Sequence, residues 1–279
     1  MNLLNALQAS LPGFALDVFR LALWLALLSA LFIPLERRFA VRPARILRRE
    51  IFTDVGYFFL NSLAPALLLS LPLSLVAVAA QRVMPPVVPA TLLALPMAAK
   101  LVLALVIGEM GFYWGHRLSH QIPWLWRFHA VHHSPRHLDF LVNTRAHPVD
   151  ILVTRLFGLT PLYFLGLAGA GATAGANATP VAVILIGTTW GFFIHSNLRW
   201  RFGPLEWLVA TPAFHHWHHT RTDHIDRNFA SMLPVLDRLF GTLYLPRHWP
   251  ADYGVSTPMP ATLGAQLIQP LRAPPARQA

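Results

Sequence analysis

Between Val55 and Ala80 the chain runs for 26 residues without a charged side chain. About 20 apolar residues in a helix cross a hydrocarbon core of about 30 Å, and a helix satisfies its own backbone hydrogen bonds where no water can. Other mainly apolar runs occupy Val18–Leu35, with Arg20 near one end, Pro96–Gly115, with Lys100 and Glu109, Ile151–Leu167 and Pro180–Ile194, and from Ile151 to Ile194 the only charge is Arg155. The sequence thus predicts an all-α, polytopic membrane bundle of four to five spans. Pro65 and Pro72 are expected to kink the second span, and the small-residue link 168–179 turns the last two into a hairpin. Composition points the same way. Hydrophobic residues make up 55% and charged residues 12%, against roughly 45–50% and about 25% in soluble domains.

The formal net charge of +10 comes from 21 arginines and one lysine, Lys100. Excess arginine can mark nucleic-acid binding, but the cluster Arg37, Arg38, Arg42, Arg45, Arg48 and Arg49 is flanked on each side by apolar sequence. Anionic headgroups are the expected partner, nucleic acid is not, and the cluster marks a cytoplasmic loop. The first 19 residues lack a basic side chain, and no small-residue cleavage site follows the first apolar run, which reads as a retained anchor rather than a removed signal peptide. Counting crossings from the arginine loop places residues 116–150 and 195–279 on that same side. All 14 histidines lie in these two segments. With no cysteine in the sequence, disulfides, thiolate catalysis and cysteine-held metal are excluded.

The histidines cluster at helical spacings. His116 and His120 stand at i and i+4, one turn apart on one face. His129, His132 and His133 offer i, i+3 and i+4, and His215, His218 and His219 repeat that spacing. Imidazole suits zinc, copper, iron or nickel. Calcium and magnesium would need carboxylates, and only 12 acidic residues are present. Eight histidines exceed the four ligands of a structural zinc site and imply two ions. Two other readings stay open on spacing alone. A histidine-lined metal transporter or metal-binding protein would carry more polar residues inside its spans. A b-type haem carrier would place single histidines opposite each other across spans.

The local sequence around these boxes is distinctive. It includes Tyr113-Trp114-Gly115-His116, Trp124-Leu125-Trp126-Arg127-Phe128-His129, Asn143-Thr144-Arg145-Ala146-His147-Pro148, Ile194-His195-Ser196-Asn197, Thr211-Pro212-Ala213-Phe214-His215 and Leu236-Asp237-Arg238-Leu239-Phe240-Gly241-Thr242. In order and spacing, residues 100–245 resemble the fatty acid hydroxylase/sterol desaturase superfamily. The resemblance implies a cytoplasmic histidine-rich helical cap holding two Fe2+ ions, and O2-dependent hydroxylation or desaturation of an acyl chain, sterol or related lipid. Decarbonylation or ether cleavage falls within the same resemblance. His195 and His147 are added as expected ligands because such families bind metal through histidines between the boxes.

His216 is expected to point away from the third box. Glu109, Asp139, Asp150 and Asp223 are candidates to accept the second N–H of a metal-bound imidazole. No fused cytochrome b5 motif is recognisable, so electrons are expected from a separate donor, a cytochrome b5-like protein, ferredoxin or reductase. The expected organisation is an anchor over 1–95, a catalytic unit over 96–245 and a cytoplasmic tail over 246–279. Phe229–Leu245 is expected to form an interfacial helix. Low lysine with abundant Ala, Arg and Leu resembles GC-rich bacterial usage, which places the protein in a bacterial inner membrane.

Overall fold

The computed structural model describes residues 12–168 and 178–272. Among them there is no strand, and only two isolated bridges, Ala40 with Leu198 and Thr220 with Tyr253, pair backbone in β fashion. Helix α1 spans Gly13–Phe39, α2 spans Ile51–Val83, the short α3 spans Val87–Leu93 and α4 spans Met97–Gln121. The short α5 covers Pro123–His129, α6 covers Pro148–Phe164 and α7 covers Ala178–His195. Helices α8 (Pro212–His218), α9 (Val235–Leu239) and α10 (Leu263–Arg272) complete the described chain.

Helices α1, α2 and α4, of 27, 33 and 25 residues, are long and apolar enough to cross a membrane. Their outer faces keep Leu23, Leu27, Leu31, Leu67, Leu71, Leu75 and Val102 exposed, as lipid contact requires. Helices α6 and α7 have only 17 and 18 residues, about 26 Å at 1.5 Å per residue. The α2 helix continues unbroken through Pro65 and Pro72. Most of the expected small-residue link lies outside the described residues.

The closest helix packing brings α4 against α6. A Cβ on Gly111 would stand 2.2 Å from the Phe157 carbonyl oxygen, and one on Gly115 would stand 2.7 Å from Phe157 Cβ. Small residues at helical spacing let two backbones approach in this way. This approach sets the end of α4, which carries His116 and His120, beside the start of α6, which carries Asp150. Gly111→Ala is therefore expected to push the helices apart, costing about 1–3 kcal/mol and lowering metal content, measured by thermal melting and elemental analysis. Unchanged melting would place the packing elsewhere.

Residues 229–245 do not form the expected single helix. The chain stays irregular to Pro234 and then makes only the five-residue α9. Asp237 is the reason. Its carboxylate accepts hydrogen bonds from the Phe229 and Ala230 backbone N–H groups and from Thr242 Oγ1, at 2.7, 2.9 and 2.6 Å. These bonds hold a compact loop over the ends of α4 and α8.

Four charged side chains form a network beneath the bundle, Asp54 and Arg145 buried and Arg48 and Asp139 half-buried. Arg48 binds Asp139 at 2.7 and 3.1 Å and also pairs with Asp54, which in turn pairs with Arg145. Asp54 is 0% exposed and Arg145 2%. Nearby, Glu36 accepts from the backbone N–H groups of Phe140 and Asn197 at 2.8 and 2.9 Å. The arginine loop is thereby tied to the segments that carry the second box and His195.

Candidate metal centre

Nine buried histidines form two groups. His116, His120, His129, His133 and His218 make the first, and His132, His195, His215 and His219 the second; within each group one ring nitrogen per residue lies within 4.8 Å of all the others. Each His-x-x-His-His box is divided between the groups. Helix α5 stops at His129, and the chain turns on tightly, with the His132 and His133 N–H groups both reaching the His129 carbonyl. Their side chains therefore leave in different directions. His218 ends α8 and His219 lies just beyond it, so that adjacent pair diverges as well.

The hydrogen bonds behind the rings define the site. His116 Nδ1 donates to the Phe229 carbonyl at 2.6 Å, His132 Nδ1 to Arg145 at 3.0 Å, His195 Nδ1 to Gly191 at 2.7 Å and His218 Nδ1 to Arg227 at 2.8 Å. His129 Nδ1 donates to Asp150 at 3.0 Å and His120 Nδ1 to Asp226 at 2.9 Å. Each acceptor fixes the proton on Nδ1 and leaves Nε2 as a bare lone pair. Those lone pairs face one another. His116 and His129 approach at 3.2 Å between Nε2 atoms, and so do His132 and His195. Two neutral acceptors repel at that distance unless a cation lies between them. The buried Nε2 atoms of His120 and His218 have no hydrogen-bond partner, as expected of metal ligands. The residues present thus fit a metal in each group, held by imidazole alone.

Burial and surrounding imidazoles keep these rings neutral. The His132 ring is pulled down to about 4, first by burial and then by His129. Burial likewise holds His133, His215, His218 and His219 well below the usual histidine range. An unfolded histidine titrates near 6.5, so the folded state binds fewer protons than the unfolded one below that pH. The contribution to stability is complete above about pH 6.5 and falls away as pH drops toward the folded values. The melting temperature of metal-free protein is therefore expected to fall steadily from pH 7 to pH 5. A flat profile would contradict this assignment of buried neutral rings.

Other expected site residues lie elsewhere. His147 is in neither group; its Nδ1 accepts from Val149 N–H at 3.1 Å, capping α6, and its Nε2 lies 3.1 Å from the Leu267 carbonyl of α10. His216 bonds Tyr253 at 2.8 Å and the Ser196 carbonyl at 3.0 Å. Of the four acidic candidates, only Asp150 meets a histidine. Glu109 accepts from Ser231 Oγ, Met232 N–H and Leu233 N–H at 2.7, 2.6 and 3.2 Å. It fastens the loop whose Phe229 carbonyl holds His116. Asp139 pairs with Arg48, and Asp223 is exposed.

Sequence reasoning missed Asp226, which sits at φ 59 in a turn behind the third box. Its one available signal is an Asp in a polar loop after His219, shared with Asp223. The carbonyls of Phe229, Arg145, Gly191 and Arg227 carry no sequence signal at all.

The fatty acid hydroxylase family model matches residues 101–242. The ornithine lipid hydroxylase OlsE of Rhizobium tropici is 38% identical over 181 residues, 63% of this chain and 51% of that protein. The alkylglycerol monooxygenase of Danio rerio is 32% identical over 152 residues, 54% of this chain and 32% of that protein. A very-long-chain aldehyde decarbonylase, GL1-11 of Oryza sativa subsp. indica, is 29% identical over 140 residues, 49% of each. The chain therefore spans from a third to a half of the length of these relatives. No solved structure matches it. Both histidine groups, from His116 to His219, fall inside the matched segment, and the chain belongs to the fatty acid hydroxylase family.

Proposed function

We propose that this protein is an integral membrane di-iron oxygenase that hydroxylates or desaturates a lipid with O2 and external electrons. The observation that carries this reading is the division of nine imidazoles into two adjacent groups, each with lone pairs converging on one point. The relatives' names, lipid hydroxylase and monooxygenase, support a lipid substrate and oxygen as co-substrate. Iron, when bound, supplies the oxygen activation that no side chain here can perform.

The chain's own residues do the rest. Asp150, Asp226 and the carbonyls behind the rings hold six of the nine imidazoles in one tautomer, aimed inward. Phe229, Tyr113, Phe214 and Ile194 pack around the site and keep bulk water out, which limits wasteful side reactions. In this reading α1, α2 and α4 cross the membrane, and α6 and α7 form a hairpin that enters it from the histidine side. The arginine loop, the histidines and the C-terminal segment share the cytoplasmic face of an inner membrane. Ion pairs of Arg48 and Arg145 with Asp54 support a common side for loop and site. A separate redox protein delivers electrons from that side.

Purified protein is expected to contain two irons per chain and no haem. Cells expressing it are expected to accumulate a lipid heavier by one oxygen or lighter by two hydrogens, read by lipid mass spectrometry. A Soret band, or an unchanged lipid profile with iron fully loaded, would overturn the proposal.

A further inference from the structure

A groove of about 460 Å³ lies between α2, α6 and α7, in the range of ligand sites. One wall is a single face of α2 from Ser62 to Ala77, and the other a single face of α6 carrying Arg155, Leu159 and Tyr163 at four-residue spacing. Fifteen residues of α2 separate Ser62 from Ala77, about 22 Å of helix and longer than one leaflet of a hydrocarbon core about 30 Å thick. The serines of this wall do not present free hydroxyls. Ser62, Ser70 and Ser74 donate back to the carbonyls of Phe58, Leu67 and Ser70 at 2.6, 2.8 and 2.7 Å. What remains is a narrow apolar trough with one charged lining residue, Arg155.

Arg155 is also the only charge between Ile151 and Ile194. It makes no ion pair and no hydrogen bond with any described residue. A half-buried guanidinium among apolar side chains without a counter-charge is costly, and charges in apolar segments mark ligand sites. Its planar fork matches carboxylate and phosphate oxygens. Along α6 it lies five residues beyond Asp150, the partner of His129, about 7.5 Å of helix rise. Leu159 and Tyr163 continue the trough away from that end.

We propose that this groove binds one lipid whose polar end is an anion, a carboxylate or phosphate. The anion pairs with Arg155, and the alkyl chain lies along α2 toward Ala77. That this lipid is the one offered to the metal centre rests on the proposed function. The binding site itself does not.

The test uses the full chain, iron-loaded, in detergent micelles. Equilibrium binding is measured with radiolabelled oleate, oleoyl lysophosphatidate and oleyl alcohol, with inorganic phosphate as a chain-free competitor. The wild-type protein is expected to bind the anionic lipids in preference to the alcohol. Arg155→Gln should weaken the anions roughly ten- to hundredfold, leave the alcohol unchanged and leave iron content unchanged. Equal binding of anions by the wild type and Arg155→Gln would overturn the inference. So would competition by inorganic phosphate as strong as that by lysophosphatidate.

Should Arg155→Gln fail to fold, Leu159→Trp fills the trough with Arg155 in place. It must then weaken all the lipids, and undiminished binding overturns the site. Arg155-dependent binding by a protein whose expression, with iron fully loaded, leaves the cellular lipid profile unchanged would sink the oxygenase reading and keep the groove. Lipid oxidation with binding indifferent to Arg155 would do the reverse.

Discussion

Replacing His133 by alanine is expected to remove one iron of two, and replacing its neighbour His132 to remove the other. His133 belongs with His116, His120, His129 and His218, whereas His132 belongs with His195, His215 and His219. Each variant should retain about one iron per chain by elemental analysis. The remaining ions should differ, because one group offers five imidazoles and the other four. Turnover should fall at least a hundredfold in both, since loss even of a supporting partner costs about 10- to 100-fold in metal affinity or activity. His137→Ala, an exposed histidine outside both groups, should leave iron and turnover unchanged. If His132→Ala and His133→Ala deplete the same ion, the division into two groups is wrong.

The largest loss of stability is expected at Asp54. Its carboxylate is fully buried and pairs with both Arg48 and Arg145. Asp54→Ala leaves two cations without their shared partner. Breaking a buried ion pair from one side costs about 3–5 kcal/mol, because the remaining charge stays desolvated. The change should reach the metal as well, since the Arg145 carbonyl holds His132. Removing the charge from all four network positions together, with Asp54→Leu, Arg48→Met, Arg145→Met and Asp139→Asn, should cost less than Asp54→Ala alone, since Arg48 also binds Asp139. Chemical denaturation in mild detergent measures both. A quadruple variant less stable than the single one would show that the network stabilises by attraction rather than by mutual compensation.

Much of the fold was legible because lipid permits few solutions. Apolar runs long enough to cross a bilayer must be helices, and the cores of α1, α2, α4 and α7 lie where those runs lie. The eight box histidines were legible by spacing, and His195 by the resemblance. Their division into two groups was not: spacing puts all three histidines of a box on one helical face, yet in both boxes the first and last join one group and the middle one joins the other.

Glu109 shows a related limit. Seven residues before His116, it shares nearly the same helical face, yet it stands about 10 Å away along the axis. At that height it meets Ser231, Met232 and Leu233 rather than an imidazole. The buried arginines were hidden for a different reason. Arg48 looks like a headgroup contact until its partners are known, and Arg145 meets Asp54 across 91 positions of sequence. Long-range partners of this kind, like the backbone carbonyls behind the rings, leave no periodic trace.

The proposed chemistry requires two ions held by nine imidazoles. Anomalous diffraction at the iron edge, from crystals of the iron-loaded protein, tests it most directly. Two peaks are predicted, one among His116, His120, His129, His133 and His218 and one among His132, His195, His215 and His219, with neither at His147. A single peak shared by both groups, or iron bound outside them, would contradict it.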